Sequence, residues 1–121
     1  LPYTYEWRKS QFLATFKGNV VSNEVFSCSD IFESDSRFDD LRSSIWDFSA
    51  VDSVSISVEE IIGRAAIDRA ASKSNRKIKL AIFTNRPSEE IFANLYKAEN
   101  LDIDWDIKIF KTKKEALEWC S

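Results

Sequence analysis

The groups that could do chemistry in this chain are hydroxyls, carboxylates and two thiols, because it contains no histidine. That absence removes histidine acid–base catalysis, Ser–His and Cys–His nucleophiles, and His-containing zinc sites. Cys28 and Cys120 stand far apart in the sequence and form no ligand-spaced pair. They read as reduced thiols in a cytosolic setting, packed in the core or at the surface. The hydroxyls concentrate in DFSAVDSVSISVEE (47–60), where Ser49, Ser53, Ser55 and Ser57 fall within nine positions. Such a stretch either holds a switch or supplies turns and helix caps. Ser57 has a complete structural reading: with Glu60 it makes a capping box, in which each side chain satisfies a backbone N–H at a helix start.

Two other sets of polar residues could carry chemistry. The loop TNRPSEE (84–90) follows an apolar strand, where open α/β sheets bind ligands. Arg86 there could meet an anion and Ser88 could cap the next helix. No Gly-rich phosphate loop accompanies them, so the loop reads as a plain connection. Carboxylates are abundant, as Asp39–Asp40, Glu59–Glu60, Glu89–Glu90 and Asp102/Asp104/Asp106. Adjacent acids on a helix diverge by about 100° per residue and do not converge on a substrate. They read as solvated surface. No metal site, cofactor or catalytic residue is expected.

The elements that must position these groups follow from the pattern. The chain has 121 residues, 44% apolar and 31% charged, with nine Phe and four Trp. That suits one domain, residues 1–121, with one core. A net charge of −3 provides no global field for nucleic acid. The basic runs KSNRKIK (73–79) and KTKK (111–114) read as solvated ends of elements. No apolar run approaches the roughly 20 residues that span a bilayer. The chain has no Met, even at position 1, and is expected to be a processed product or an excised piece.

YTYEW (3–7) and QFLATF (11–16) predict an antiparallel hairpin, its second strand ended by Gly18. SNEVFSCSDIF (22–32) predicts a helix capped by Ser22, and 35–43 a polar connection anchored by Phe38 and Leu41. SIWDFS (44–49) predicts a short strand. The span 57–75 predicts a helix that buries Val58, Ile61, Ile62, Ala65 and Ala66 and stops at Asn75. LAIF within 77–85 predicts a central strand covered on both faces. A helix over 86–101, a strand over 105–110 and a short terminal helix complete the chain. The order β-β-α-β-α-β-α-β-α implies an α/β fold with a mixed, mainly parallel sheet, an N-terminal β-hairpin and about four flanking helices.

The chain resembles the STAS-type SpoIIAA-like proteins, a group related to CRAL-TRIO-like lipid-binding domains. The resemblance rests on Phe16 and Gly18 with Val21–Ser22, on DSRF (35–38), DFSAV (47–51), SVEEI (57–61), KLAIF (79–83) with Tyr96, and IKIFKTKKEALEW (107–119). It covers nearly the whole chain. It implies a small cytoplasmic module without catalytic activity. Relatives of this kind bind apolar ligands or associate with membrane surfaces, and often form homodimers. Anti-sigma-factor antagonists of the same fold carry a phosphoacceptor serine where a strand meets a helix. Lining up DFSAV places that position at Ser57, with Ser55 and Val58 where that motif has an acid and a glycine.

The expectation for function is therefore a non-enzymatic module that binds an apolar small molecule or lipid. Its site is expected between the helices at 57–75 and 88–100, walled by Ile61, Ile62, Phe92, Leu95 and Tyr96. Tyr96 is the one polar handle of that cleft. The alternative is a protein-interaction module switched by phosphate at Ser57, where free N–H groups and the helix dipole favour an anion.

Overall fold

A computed structural model describes residues 3–121. Among the described residues the elements are β1 (Tyr3–Arg8), β2 (Gln11–Val21), α1 (Ser22–Ser34), a 3-10 turn (Ser36–Asp40), β3 (Ser43–Ser55), α2 (Val58–Ala71), β4 (Lys79–Phe83), α3 (Pro87–Glu99), β5 (Asp106–Phe110) and α4 (Lys113–Cys120). The five strands form one sheet in the order β1-β2-β3-β4-β5. β1 and β2 pair antiparallel, from Tyr3 opposite Phe16 to Arg8 opposite Gln11. The other three pairings are parallel. The mixed, mainly parallel α/β fold expected from the sequence is the one observed.

Strand order follows chain order, so each parallel crossover advances the sheet in the same direction. Crossovers of one hand then lay α1, α2 and α3 side by side on a single face. The large core confirms this arrangement: Phe12, Phe16, Trp46, Leu80 and Ile82 of the sheet pack with Cys28 and Phe32 of α1 and Ala93 of α3. α4 comes after the last strand and returns to the opposite face. There Ala116 meets Leu13, Ile45, Ala81 and Phe110, and Leu117, Trp119 and Cys120 pack around them. β4 is thus covered on both faces, as its continuous apolar run predicts.

Several boundaries differ from the sequence reading, each for a local reason. Gly18 does not end β2. The strand continues to Val21, and Gly18 adopts φ +72°, a left-handed backbone that favours glycine, next to a register shift. β3 likewise runs past residue 49 to Ser55, because β2 offers pairing partners as far as Val21. With β2 this long, the chain enters α1 without a loop. Val21, not Ser22, holds the cap position, and its N–H donates to the Glu24 carboxylate at 2.8 Å.

Asn75 does not stop α2, which ends at Ala71. It is buried four residues further on and ties three segments together. Its side-chain N–H₂ donates to the carbonyls of Phe38 (2.7 Å) and Leu41 (2.8 Å), and its side-chain oxygen accepts the Lys77 N–H at 3.1 Å. The indole N–H of Trp105 donates to its backbone carbonyl at 2.7 Å. The turn that carries Phe38 and Leu41, both fully buried, is locked to the α2–β4 loop by this one side chain. Asn75→Ala leaves two buried carbonyls without that donor, each costing about 1–3 kcal/mol. We expect a loss of about 3 kcal/mol in urea unfolding, with a native-like far-UV spectrum; a loss below about 1 kcal/mol would contradict this role.

Candidate functional site

Three helices on one face leave a gap where α1, α2 and α3 converge over β3 and β4. A cavity of about 110 Å³ lies there. Its floor is Trp46 and Phe48 of β3 with Leu80 and Ile82 of β4, and its walls include Phe32 of α1, Ile61 of α2 and Phe92 of α3. The aromatic rings interlock. Phe32 lies 5.0 Å from Phe12 and 5.7 Å, edge-on, from Trp46. Such pairs contribute about 0.5–1.5 kcal/mol beyond area burial and hold the floor rigid.

One wall is polar, and it is built around Arg64. Ile61, Arg64, Ala65 and Asp68 share the buried face of α2. The Arg64 guanidinium donates to Asp68 (3.0 Å), to Glu33 of α1 (2.7 Å) and to Asp30 of α1 (2.7 Å). Tyr96 of α3 completes the wall by donating its hydroxyl to the other Asp68 oxygen at 2.5 Å. The side chains of Arg64 and Asp68 are 5% and 6% exposed and that of Glu33 11%, so this group is desolvated, while Asp30 reaches water at 70%. Burial, and then the neighbouring Asp68 carboxylate, push the Glu33 carboxyl up to about 9. Burial and the Asp68 charge also push the Tyr96 phenol well above its usual value. At neutral pH the wall therefore holds Glu33 and Tyr96 as protonated donors beside the Arg64 cation.

The five residues expected to wall a cleft divide. Ile61, Phe92 and Tyr96 line the cavity. Ile62 does not: one helical step of about 100° turns it to the outer face of α2, where it is 44% exposed with Val58. Leu95 also lies off the lining, on the α3 flank it shares with the exposed Ile91. The expected buried stripe of α2 was displaced because Arg64 and Asp68 take two of its inward positions. The expected two-helix cleft is in fact a three-helix cavity, with α1 supplying Val25, Phe26, Phe32 and Glu33.

The other candidates also have definite places. Ser57 caps α2, accepting the Glu60 N–H at 3.1 Å while its own N–H donates to Glu60 at 2.9 Å, the capping box in full. Glu60 does more than the sequence shows, since the Ser22 hydroxyl donates to its other oxygen at 2.5 Å. The hydrogen bond from Ser22, then that from the Ser57 backbone, hold the Glu60 carboxyl below its usual range. The Arg86 guanidinium donates through its Nε–H to Glu89 at 3.0 Å. Ser88 caps nothing and donates to the same carboxylate at 2.9 Å. Glu89 is buried against the cavity, contrary to the reading of Glu89–Glu90 as solvated surface. The sequential strand order also leaves no switch point for this loop to occupy. Among the described residues, no group of three or more Cys, Asp or Glu is placed to hold a metal ion.

No family model and no curated protein matches this chain. Among solved structures it is similar to an uncharacterised protein of the DUF3478 family from Shewanella loihica PV-4, described as having a SpoIIAA-like fold. The TM-score is 0.53 at 14% identity, over 98% of this chain and 92% of that one. The protein has a SpoIIAA-like fold, as the resemblance in its sequence led us to expect.

The Glu33 proton sets the pH response of folding. Its folded pKa lies above the unfolded value near 4.5, so the folded state holds a proton that the unfolded chain releases between those values. That contribution is fully present below about pH 4.5 and is lost as pH rises toward about 9. Glu33→Gln keeps an acceptor for Arg64 and a donor for Asp68 without a titrating proton. We expect the variant to match wild type near pH 5 and to exceed it at pH 8 by at least about 1 kcal/mol, the worth of one pKa unit. Parallel stability profiles for the two proteins in denaturant titrations would refute the assignment.

Proposed function

We propose that this protein binds a small apolar molecule, or the apolar end of a larger amphiphile, in the cavity beneath α1, α2 and α3, and that it does so without transforming it. The observation that supports this is the cavity itself, about 110 Å³ with a floor and walls of aromatic and aliphatic side chains. Apolar cavities take apolar guests, and one of about 150 Å³ lined by aliphatic and aromatic side chains takes benzene. The volume therefore suits one short alkyl or aryl group rather than a whole lipid. Tyr96 is the polar handle the sequence suggested, but it works through Asp68 and Arg64 rather than alone. The thiol of Cys28, pushed up to about 12 by burial, lies outside the cavity lining and is not a nucleophile at neutral pH.

Ala93 of α3 lines the cavity and points the way to a test. Ala93→Leu adds three carbons to its wall, at an overpacking cost of about 1–3 kcal/mol. Wild-type protein is expected to bind toluene saturably, seen as shifts of the Trp46 and Trp105 indole N–H signals in NMR spectra. The folded variant is expected to show at least about tenfold weaker binding. Equal binding by both proteins would place the guest elsewhere.

A phosphate-switched interaction module is the weaker reading, on the geometry of the α2 start. A phosphate on Ser57 would lose the Glu60 N–H bond and confront the carboxylates of Glu59 and Glu60. Ser57→Ala is expected to lower stability by about 1 kcal/mol, the ordinary worth of a cap, and to leave toluene affinity within about twofold of wild type. A partner protein that binds wild type and not this variant would support the switch instead.

A further inference from the structure

The cavity has a second polar end, away from Arg64. Thr84 and Glu89 line it where β4 gives way to α3, and both are buried, at 1% and 6% exposed. Glu89 stands about 10 Å before Tyr96 along the axis of α3. The bonds of this pair are half made. One Glu89 oxygen, Oε2, accepts from the Arg86 Nε–H at 3.0 Å and from the Ser88 hydroxyl at 2.9 Å. The other, Oε1, accepts a hydrogen bond from no described residue. The Thr84 oxygen accepts the Arg86 backbone N–H at 3.3 Å, and its own O–H donates to no described residue. One turn, tied together by Arg86, thus presents a spare acceptor and a spare donor to the cavity. The other end differs: both Asp68 oxygens are bonded, and the Tyr96 hydroxyl is spent on one of them.

The spare groups define their complement. A carboxylate oxygen has lone pairs and no hydrogen, so Oε1 needs a donor, while the Thr84 O–H needs an acceptor. A hydrocarbon answers neither. An ether, ketone or nitrile only accepts, and sets its lone pairs against those of Oε1. A hydroxyl does both with one atom. Water makes the same two bonds but brings no apolar body to bury on the floor. The Arg86 guanidinium already faces the Glu89 carboxylate, so the donor need carry no charge.

Resting on the apolar-cavity reading above, we propose that the preferred occupant is a neutral hydroxyl compound, a phenol or short alcohol, held by its hydroxyl between Glu89 and Thr84. Its O–H donates to Glu89 Oε1, and its oxygen accepts from the Thr84 hydroxyl. Its apolar body lies over Trp46, Leu80 and Ile82. No proton is transferred and no covalent bond changes.

Phenol and toluene test this, since they differ by a hydroxyl in place of a methyl. In a cavity without partners for it the hydroxyl is a penalty, and toluene binds tighter. Each is titrated at pH 7 and followed by the Trp46 and Trp105 indole N–H signals. The readout is the ratio of the toluene Kd to the phenol Kd, in which changes of cavity size or stability common to both ligands cancel. We expect a ratio of at least about three on wild-type protein. Glu89→Gln leaves an oxygen for Arg86 and Ser88 and puts an N–H₂ where Oε1 stood, so the spare acceptor becomes a donor. Its ratio is expected to fall to about one or below, while its affinity for benzonitrile, which only accepts, rises at least about threefold over wild type. Thr84→Val keeps the side-chain shape without the O–H, and its ratio is also expected to fall below about three. A wild-type ratio below about three overturns the hydroxyl inference and leaves the apolar cavity standing. If neither phenol nor toluene binds, both readings fail. A ratio that stays at the wild-type value in both variants overturns the assignment to Glu89 and Thr84.

Discussion

The hand and order of the parallel crossovers govern this molecule. Three successive crossovers, each advancing the sheet by one strand, set α1, α2 and α3 in a row on one face. Three cylinders on a twisted sheet do not close over it without a remainder. Large aromatic side chains fill most of that remainder, and what is left is the cavity between Phe32, Ile61 and Phe92. On the opposite face α4 packs alone, and its small Ala116 lets it lie close to β3 and β4. The asymmetry between the faces is therefore a consequence of topology before it is a matter of any one side chain.

Arg64 is the second constraint, and it is an expensive one. An apolar residue at its place would pack the α1–α2 seam at no desolvation cost, and buried ion pairs are often no more stabilising than such a replacement. The chain instead places a guanidinium with acids on two helices there, and adds the Tyr96 hydroxyl from a third. One planar group with divergent N–H bonds fixes α1 against α2, and Asp68 carries the link to α3. The geometry this specifies is a lasting opening rather than a collapsed seam, since the polar wall cannot be drawn into the apolar floor without losing its bonds.

The fold was legible in the sequence because it rests on periodicity, and periodicity survives local error. Alternation in β1, the apolar run of β4 and the Ser57–Glu60 box each point to one answer. The cavity was legible only in part. Ile61, Phe92 and Tyr96 were visible as inward positions of two helices, but Ile62 was drawn in by its hydropathy and Leu95 by its spacing. Arg64, Asp68, Glu33 and Glu89 were missed because a charged residue on a helix is normally solvated. A signal was nevertheless present: Ile61, Arg64, Ala65 and Asp68 repeat at three and four residues, so an inward Ile61 carries the two charges inward with it. Their partners on α1 were beyond reach, since no local pattern says that Asp30 and Glu33 will face α2. Asn75 was misjudged for a related reason. Its type fits a helix end, and only the folded chain brings the carbonyls of Phe38 and Leu41 within its reach.

Glu60 shows how a local motif acquires a tertiary role. In sequence it is the third member of a capping box and needs only Ser57. In the fold, the long β2 carries α1 in without a loop, which places Ser22 in its first turn rather than at its cap. That freed hydroxyl then finds the second oxygen of Glu60. A single carboxylate thus ties together the starts of α1 and α2, about one helical turn before Arg64 in α2. The seam is pinned at one end by an exposed carboxylate and further along by a buried guanidinium, and the cavity-lining Val25, Phe26 and Ile61 lie between these ties. Ser57, the other member of the box, belongs with Glu60 to the frame that ties the starts of these two helices together.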